Sequence, residues 1–169
     1  MTQTENRAIY DKPGHLIRRL QQIAVALFMN ETSGFDVTPV QYAALLAIDL
    51  HPGIDQTALV NIIAFDRSTI GEVVSRLEAK RLVRRTTGEK DGRTKVLRVS
   101  PAGKKLVSDI EALVREAQRQ ILAPLTGRER VAFMRMLIKL VDLNNQHSRA
   151  PKRSKDHRGR RSARIEMAS

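Results

Sequence analysis

Residues 66–100 read DRSTIGEVVSRLEAKRLVRRTTGEKDGRTKVLRVS, and the order of features in this run decides the fold. Asp66 is an N-cap residue, and Ile70, Val73, Val74 and Leu77 recur behind it at three- and four-residue spacing, which predicts a helix with one buried face. Leu82 to Thr87 and Lys95 to Ser100 follow as strand candidates, with Val96, Leu97 and Val99 favouring extended backbone. Gly88-Glu89-Lys90-Asp91-Gly92-Arg93 between them is turn chemistry. A helix start that offers hydroxyls and an Arg, followed by a basic hairpin, can touch a nucleic-acid duplex at two places at once.

Upstream, the pattern stays helical. Leu16, Leu20, Ile23 and Leu27 form a stripe between Gly14 and Asn30, broken at Ser33-Gly34. Thr38 caps a second helix with Pro39 at its first position, where a missing N–H costs nothing, and that helix ends before Pro52-Gly53. Asp55 caps a short third helix carrying Leu59, Ile62 and Ile63. Two short helices separated by a few residues, the third and the one from Asp66, make a helix-turn-helix. Downstream, Ser100-Pro101 opens a long helix with Leu106, Ile110, Leu113, Ala117 and Ile121 at helical spacing, ended by Pro124. Thr126 to Glu129 is a capping box for a last helix carrying Phe133, Met134, Leu137, Ile138, Leu140 and Val141.

The expected fold is therefore mainly α with a small β-hairpin wing, a winged helix-turn-helix joined to a helical dimerisation region. Residues 1–12 read as a flexible lead and 13–147 as the folded unit. Within it, helices at about 13–31 and 101–146 serve dimerisation and about 38–100 forms the DNA-binding core. Residues 148–169 form a basic tail of disordered composition. From Ala150 onward that tail carries seven Lys and Arg against Asp156 and Glu166. It reads either as non-specific DNA affinity with a steep salt dependence or as a solubilising extension.

Composition narrows the function. The chain has 30 Lys and Arg against 18 Asp and Glu, a net charge of +12, which favours a polyanionic partner. Cysteine is absent, which removes disulfides, thiol nucleophiles and thiolate zinc sites. The first ten residues are polar, and no apolar run is long enough for a membrane span. The expected setting is the cytoplasm, with the nucleoid, and no membrane partner. No phosphate-cradling glycine loop, Ser-His-Asp set or recognisable carboxylate pair is present, so the chain reads as a non-enzyme without a cofactor. His15, His51, His147 and His157 lack the spacing of a metal site.

On the helix from Asp66, the polar side presents Ser68, Gly71, Glu72, Ser75 and Arg76, with Arg67 in the first turn. In a helix-turn-helix the second helix enters the major groove of double-stranded DNA with its N-terminal residues at base edges. Arg67 suits a bidentate pair with guanine, and Ser68 or Thr69 can meet a base or a phosphate. Gly71 lets the backbone come close. Glu72 repels phosphate, so it either accepts from a cytosine amino group or pairs with a neighbouring Arg, the reading we favour. In the turn, Asp91 holds a nearby basic group while Arg93 projects toward the minor groove, and Lys95 adds charge at the base of the second strand. Taken singly, an amphipathic helix or a basic turn is weak; their order and spacing carry the reading.

The chain resembles the MarR family of bacterial winged-helix transcription regulators. The resemblance rests on Thr38-Pro39-Val40-Gln41-Tyr42, on Asp66-Arg67-Ser68-Thr69, and on the run from Arg76 to Arg85. It continues through Asp91-Gly92-Arg93 and the run from Leu97 to Gly103, and spans about Gly14 to Asn145. It implies a homodimer in which the first, fifth and sixth helices interlock, and a repressor of nearby genes controlled by a small anionic aromatic ligand. Two-fold symmetry then implies a pseudo-palindromic operator with half-sites about 10–10.5 bp apart or a multiple of that. Three positions depart from the family pattern. Gly92 replaces a basic residue in the wing, Gly71-Glu72 replaces a Ser/Thr and basic or polar pair, and the basic tail is an extension. A sequence-independent nucleic-acid-coating protein is the alternative.

The family's effector pocket lies between the first, second and fifth helices. A helical wheel places Arg19 beside Ile23 at the edge of the apolar stripe, with His15 one turn earlier. Arg19 is a candidate anchor for a carboxylate and His15 for a second bond, with Tyr42 and His51 as further polar groups around an aromatic ring. Equally, Arg19 can pair with an acidic residue across the dimer.

Overall fold

The computed structural model describes residues 9–88 and 95–148. The turn residues Asp91 and Arg93, most of the N-terminal lead and all of the tail beyond Ser148 lie outside them. Among the described residues the main elements are six α-helices and three strands, in the order α1 (Pro13–Glu31), α2 (Pro39–Leu50), β1 (Ile54–Asp55), α3 (Gln56–Ile63), α4 (Arg67–Ala79), β2 (Val83–Thr87), β3 (Lys95–Val99), α5 (Pro101–Ile121) and α6 (Gly127–Leu143), with a 3-10 turn at Asn145–His147.

The helices start where their caps dictate. Thr38 and Gln41 form a reciprocal capping box on α2, as do Thr126 and Glu129 on α6. Asp55, Asp66 and Ser100 accept from the third residue's N–H of α3, α4 and α5. Each such cap is worth about 1 kcal/mol. α3 ends at Ala64, whose φ of 53° is left-handed, and this reverses the chain within three residues into α4.

The sheet order is β1-β3-β2, antiparallel throughout. Val83 faces Val99, Arg85 faces Leu97 and Thr87 faces Lys95, while Ile54 of β1 pairs Leu97 on the other side. The two-residue β1 was not anticipated, because nothing so short has a periodicity. Leu82 and Ser100, expected in the strands, serve other purposes. Arg81 sits at φ 58° and the Leu82 N–H bonds back to the Leu77 carbonyl, so Leu82 completes the exit from α4. Ser100 becomes the cap of α5.

Two clusters make the core. The larger joins Ala44, Leu45 and Ile48 of α2, Ile54, Leu59, the four α4 residues Ile70, Val73, Val74 and Leu77, and Val83 and Leu97 of the sheet. Full burial of each large aliphatic side chain contributes about 1.5–3 kcal/mol, so the face of α4 foreseen in the sequence is the keel of the head. The smaller cluster is Phe28, Val37, Ile110 and Val114, with Phe35, Tyr42 and Leu106 against it, and links α1 and α2 to α5.

The outer helices differ from expectation in how they use their apolar stripes. On α1 only Phe28 is buried, while Leu16 and Ile23 are exposed. On α5 the buried positions are Gly103, Ile110, Val114 and Ala117, with Leu106, Leu113 and Ile121 only half-covered. No residue of α6 is buried. The described residues of one chain leave these faces uncovered.

The joint between head and α5 is tightly built. The Ser100 N–H donates to the Leu82 carbonyl at 2.9 Å, and the Ser100 hydroxyl donates to the Arg81 carbonyl at 2.8 Å while accepting from the Gly103 N–H at 3.0 Å. Gly103 lies so close to the Leu82 carbonyl oxygen and the Val99 side chain that a Cβ would overlap both.

Candidate nucleic-acid interface

The exposed face of α4 is organised by Asp66. Its carboxylate accepts from the Ser68 hydroxyl at 2.6 Å, the Thr69 N–H at 2.9 Å and the Thr69 hydroxyl at 2.7 Å. The Ser68 hydroxyl first, then the Thr69 N–H and hydroxyl, hold its pKa well below the usual carboxylate range. Asp66 is therefore a charged clasp at neutral pH, and the two hydroxyls are oriented by it.

Along the same face, the Ser75 hydroxyl donates to the Gly71 carbonyl at 2.9 Å, the back-bonding common for serine within helices. Arg76 Nη2 donates to Glu72 Oε2 at 3.5 Å with both side chains well exposed. Glu72 thus takes the intrahelical partner expected of it, although an exposed pair at that distance adds little stability. Gly71 lies at the border with α3, where a Cβ would make ordinary contact with Gln56 Nε2 at 3.4 Å. Arg67 is the first residue of α4 and is exposed.

The hairpin is tied to α4 by a contact the sequence did not reveal. Arg85 Nε of β2 lies 3.0 Å from Glu78 Oε2 of α4, each side chain about one-third exposed. Opposite charges seven residues apart carry no periodic signal, and only the turn at Arg81 brings them together. Lys95 opens β3 and donates to Thr87 Oγ1 at 3.3 Å, bracing the base of the hairpin. The far end of α4 is strapped to the α1–α2 loop, where Lys80 Nζ donates to the Asp36 carbonyl at 2.5 Å and to Gln41 Oε1 at 3.4 Å and pairs with the Asp36 carboxylate at 2.9 Å.

The four effector candidates do not converge as a set. Tyr42 packs on Phe28 with ring centroids 6.1 Å apart. Burial first, then the Glu111 carboxylate, raises its phenol pKa, and Arg115 opposes them. Glu111 and Arg115 of α5, which pair at 2.6 Å, are thus neighbours of this ring that sequence reading missed. His15 makes an edge contact with Tyr10, and Arg19 is exposed on α1. His51 is exposed at the C-cap of α2. Nine residues of helix put it about 13 Å along the axis from Tyr42 and on the opposite side. Among the described residues no group of His, Asp or Glu is arranged to hold a metal ion, and no helix is long and apolar enough to cross a membrane.

A capped α4 packed with α2 and α3 around one core and flanked by a hairpin defines a winged helix-turn-helix protein. The profile of the MarR family matches residues 35–94. The PcaV transcriptional regulator of Streptomyces coelicolor, solved in complex with its natural ligand, superposes with a TM-score of 0.73 at 34% identity, covering 79% of this chain and 94% of that one. BpsR of Bordetella bronchiseptica, whose DNA binding is regulated by 6-hydroxynicotinic acid, gives a TM-score of 0.74 at 27% identity over 78% and 94% of the two chains. The transcriptional repressor NicR of Pseudomonas putida is 28% identical over 134 residues, 79% of this chain and 85% of its own length. The chain belongs to the MarR family, and its relatives are transcriptional regulators.

Proposed function

We propose that this protein is a homodimeric, sequence-specific DNA-binding repressor of the cytoplasm, released from a pseudo-palindromic operator by a small aromatic carboxylate. The observation that carries the reading is the pairing of two contact elements on one rigid head. α4 exposes Arg67, Ser68, Ser75 and Arg76, and the Glu78–Arg85 ion pair holds the hairpin beside it. Arg67 reads a guanine in the major groove, and Arg93, together with Asp91 and Lys95, serves the minor groove.

Binding to a random duplex library, followed by competition against random duplex, tests this. A repressor enriches a symmetric site and keeps it against random competitor, whereas a coating protein retains neither. On the enriched duplex, Arg67→Ala is expected to lose about 5- to 100-fold in affinity and to relax one base position. Arg93→Ala is expected to weaken binding most where flanking sequence is A·T-rich. Unchanged affinity in either variant removes that residue from the interface.

The effector reading is supported by PcaV, solved in complex with its natural ligand, by BpsR, whose DNA binding is regulated by 6-hydroxynicotinic acid, and by the Tyr42–Phe28 cluster beside α5. Arg19, with His15 one turn before it, would anchor the carboxylate, and Tyr42 would line the ring. A thermal-shift screen of aromatic carboxylates, 6-hydroxynicotinic acid among them, is expected to give a stabilising hit that Arg19→Ala reduces at least tenfold in affinity. An equal shift in both proteins would place the anchor elsewhere, with Arg115 as the next residue to change.

A further inference from the structure

A serine or threonine hydroxyl owns one proton and two lone pairs, so whatever takes the proton fixes what the group offers outward. On α4 the protons are already taken. Ser68 and Thr69 give theirs to Asp66, and Ser75 gives its own to the Gly71 carbonyl. Ser68, Glu72 and Ser75 lie along the middle of the exposed face, opposite Ile70, Val74 and Leu77. The side chains of that face therefore present acceptors along its centre, with side-chain donors supplied by Arg67 and Arg76.

The polarity of Ser68 is the most firmly held. Its bond to Asp66 is short, 2.6 Å, and charge-assisted, which makes it about twice as strong as a neutral one. A phosphate would have to win this proton from a carboxylate while approaching that carboxylate's like charge. In the major groove, the groups that need an acceptor are the N6 amino of adenine and the N4 amino of cytosine.

We propose that α4, in the DNA-reading role set out above, uses Ser68 as an acceptor for an exocyclic base amino group, with Asp66 as the positioning residue that fixes the hydroxyl's polarity. The inference rests on α4 being the reading helix, and the experiment separates the two. The full-length protein is first used to enrich a site from random duplex. In the enriched half-site each adenine is then replaced singly by nebularine, which lacks the N6 amino group, and each cytosine by 2-pyrimidinone, which lacks the N4 amino group.

At one position, removing the amino group is expected to weaken wild-type binding about tenfold, or ~1.4 kcal/mol. Ser68→Ala is expected to bind the two duplexes equally at that position. Asp66→Asn, whose amide can donate back to Ser68, is expected to lose most of the same discrimination with its helix content unchanged by circular dichroism. A merely structural Asp66 would instead lower affinity for both duplexes alike. The proposal fails if amino removal costs Ser68→Ala as much as wild type at every position, or if the Ser68 contribution disappears on neutralising a phosphate with methylphosphonate. Failure to enrich any sequence would overturn the reading of α4 itself.

Discussion

Replacing Val141 of α6 by glutamate is expected to abolish the dimer and to weaken operator binding by about 10²- to 10⁴-fold. α6 is an unusual helix for a single chain. Beyond the first turn, where Glu129 and Arg130 sit, its charged residues Arg135, Lys139 and Asp142 fall with Arg128 on one narrow strip, while Leu137, Leu140, Val141, Leu143, Met134 and Ile138 spread over most of the remaining circumference. Leu140, Val141 and Leu143 are 56%, 62% and 69% exposed, as are Leu16, Ile17 and Ile23 on α1 to similar degrees. An uncovered surface of this extent marks an interaction site. In the proposed homodimer a carboxylate placed there enters a symmetric interface twice and faces desolvation without a partner.

The loss in DNA affinity follows from geometry. Two linked heads make the second half-site contact intramolecular, which strengthens binding by about 10²- to 10⁴-fold, and a monomer forfeits that factor. Light scattering after size exclusion reads the mass, and titration of the enriched duplex reads the affinity. A Val141→Glu protein that stays dimeric with wild-type affinity would remove α6 from the interface. A variant that no longer folds at low concentration would support an obligate dimer, since such proteins have no stable monomer.

Gly103→Ala is expected to cost about 1–3 kcal/mol of stability and to lower the melting temperature by about 3–10 °C. A methyl at this position meets the Leu82 carbonyl oxygen and Val99 Cγ1. The oxygen belongs to the backbone and already accepts from the Ser100 N–H, so it cannot turn away as a side chain would. Relief requires α5 to move off the head at the joint that sets its direction. DNA affinity should therefore fall along with stability. Gly127→Ala, with open space around it, is the control and should melt within a degree or two of wild type. Equal melting of the two variants would mean that the joint yields freely and does not fix the head.

Much of the head was legible in the primary structure because its signals are local. Thr38, Asp55, Asp66, Ser100 and Thr126 each cap the helix expected of them, since a cap is a contact between residues three apart. Ile70, Val73, Val74 and Leu77 are buried as their spacing required. The hairpin pairs Thr87 with Lys95, as a turn centred on Gly88 to Arg93 demands. The interface was legible at the level of residue types but not of polarity. Ser68 and Thr69 stood out as hydroxyls, yet that Asp66 takes both protons depends on side-chain rotamers at the helix start.

What escaped the sequence is non-local or symmetric. The Arg85–Glu78 and Lys80–Asp36 straps join residues whose proximity depends on the turn at Arg81 and on how α2 lies against α4. That His51 lies about two and a half turns from Tyr42 and across α2 follows from nine residues of helix, although grouping polar residues by region conceals it. Glu111 and Arg115 neighbour Tyr42 only because α5 folds back past α2.

The sequence by itself determined where each helix begins, which face of α4 is buried, and that the chain carries a basic, cysteine-free winged head, because caps, periodicity and composition act within a few residues. Tertiary structure alone decided that Gly103 locks α5 against Leu82, that the Ser100 hydroxyl closes on the Arg81 carbonyl, and that Lys80 straps the end of α4 to Asp36. Those outcomes depend on which backbone groups approach across 15 or more residues and on which acceptor reaches a given proton first. Neither is written in the order of residues until the chain has closed on itself.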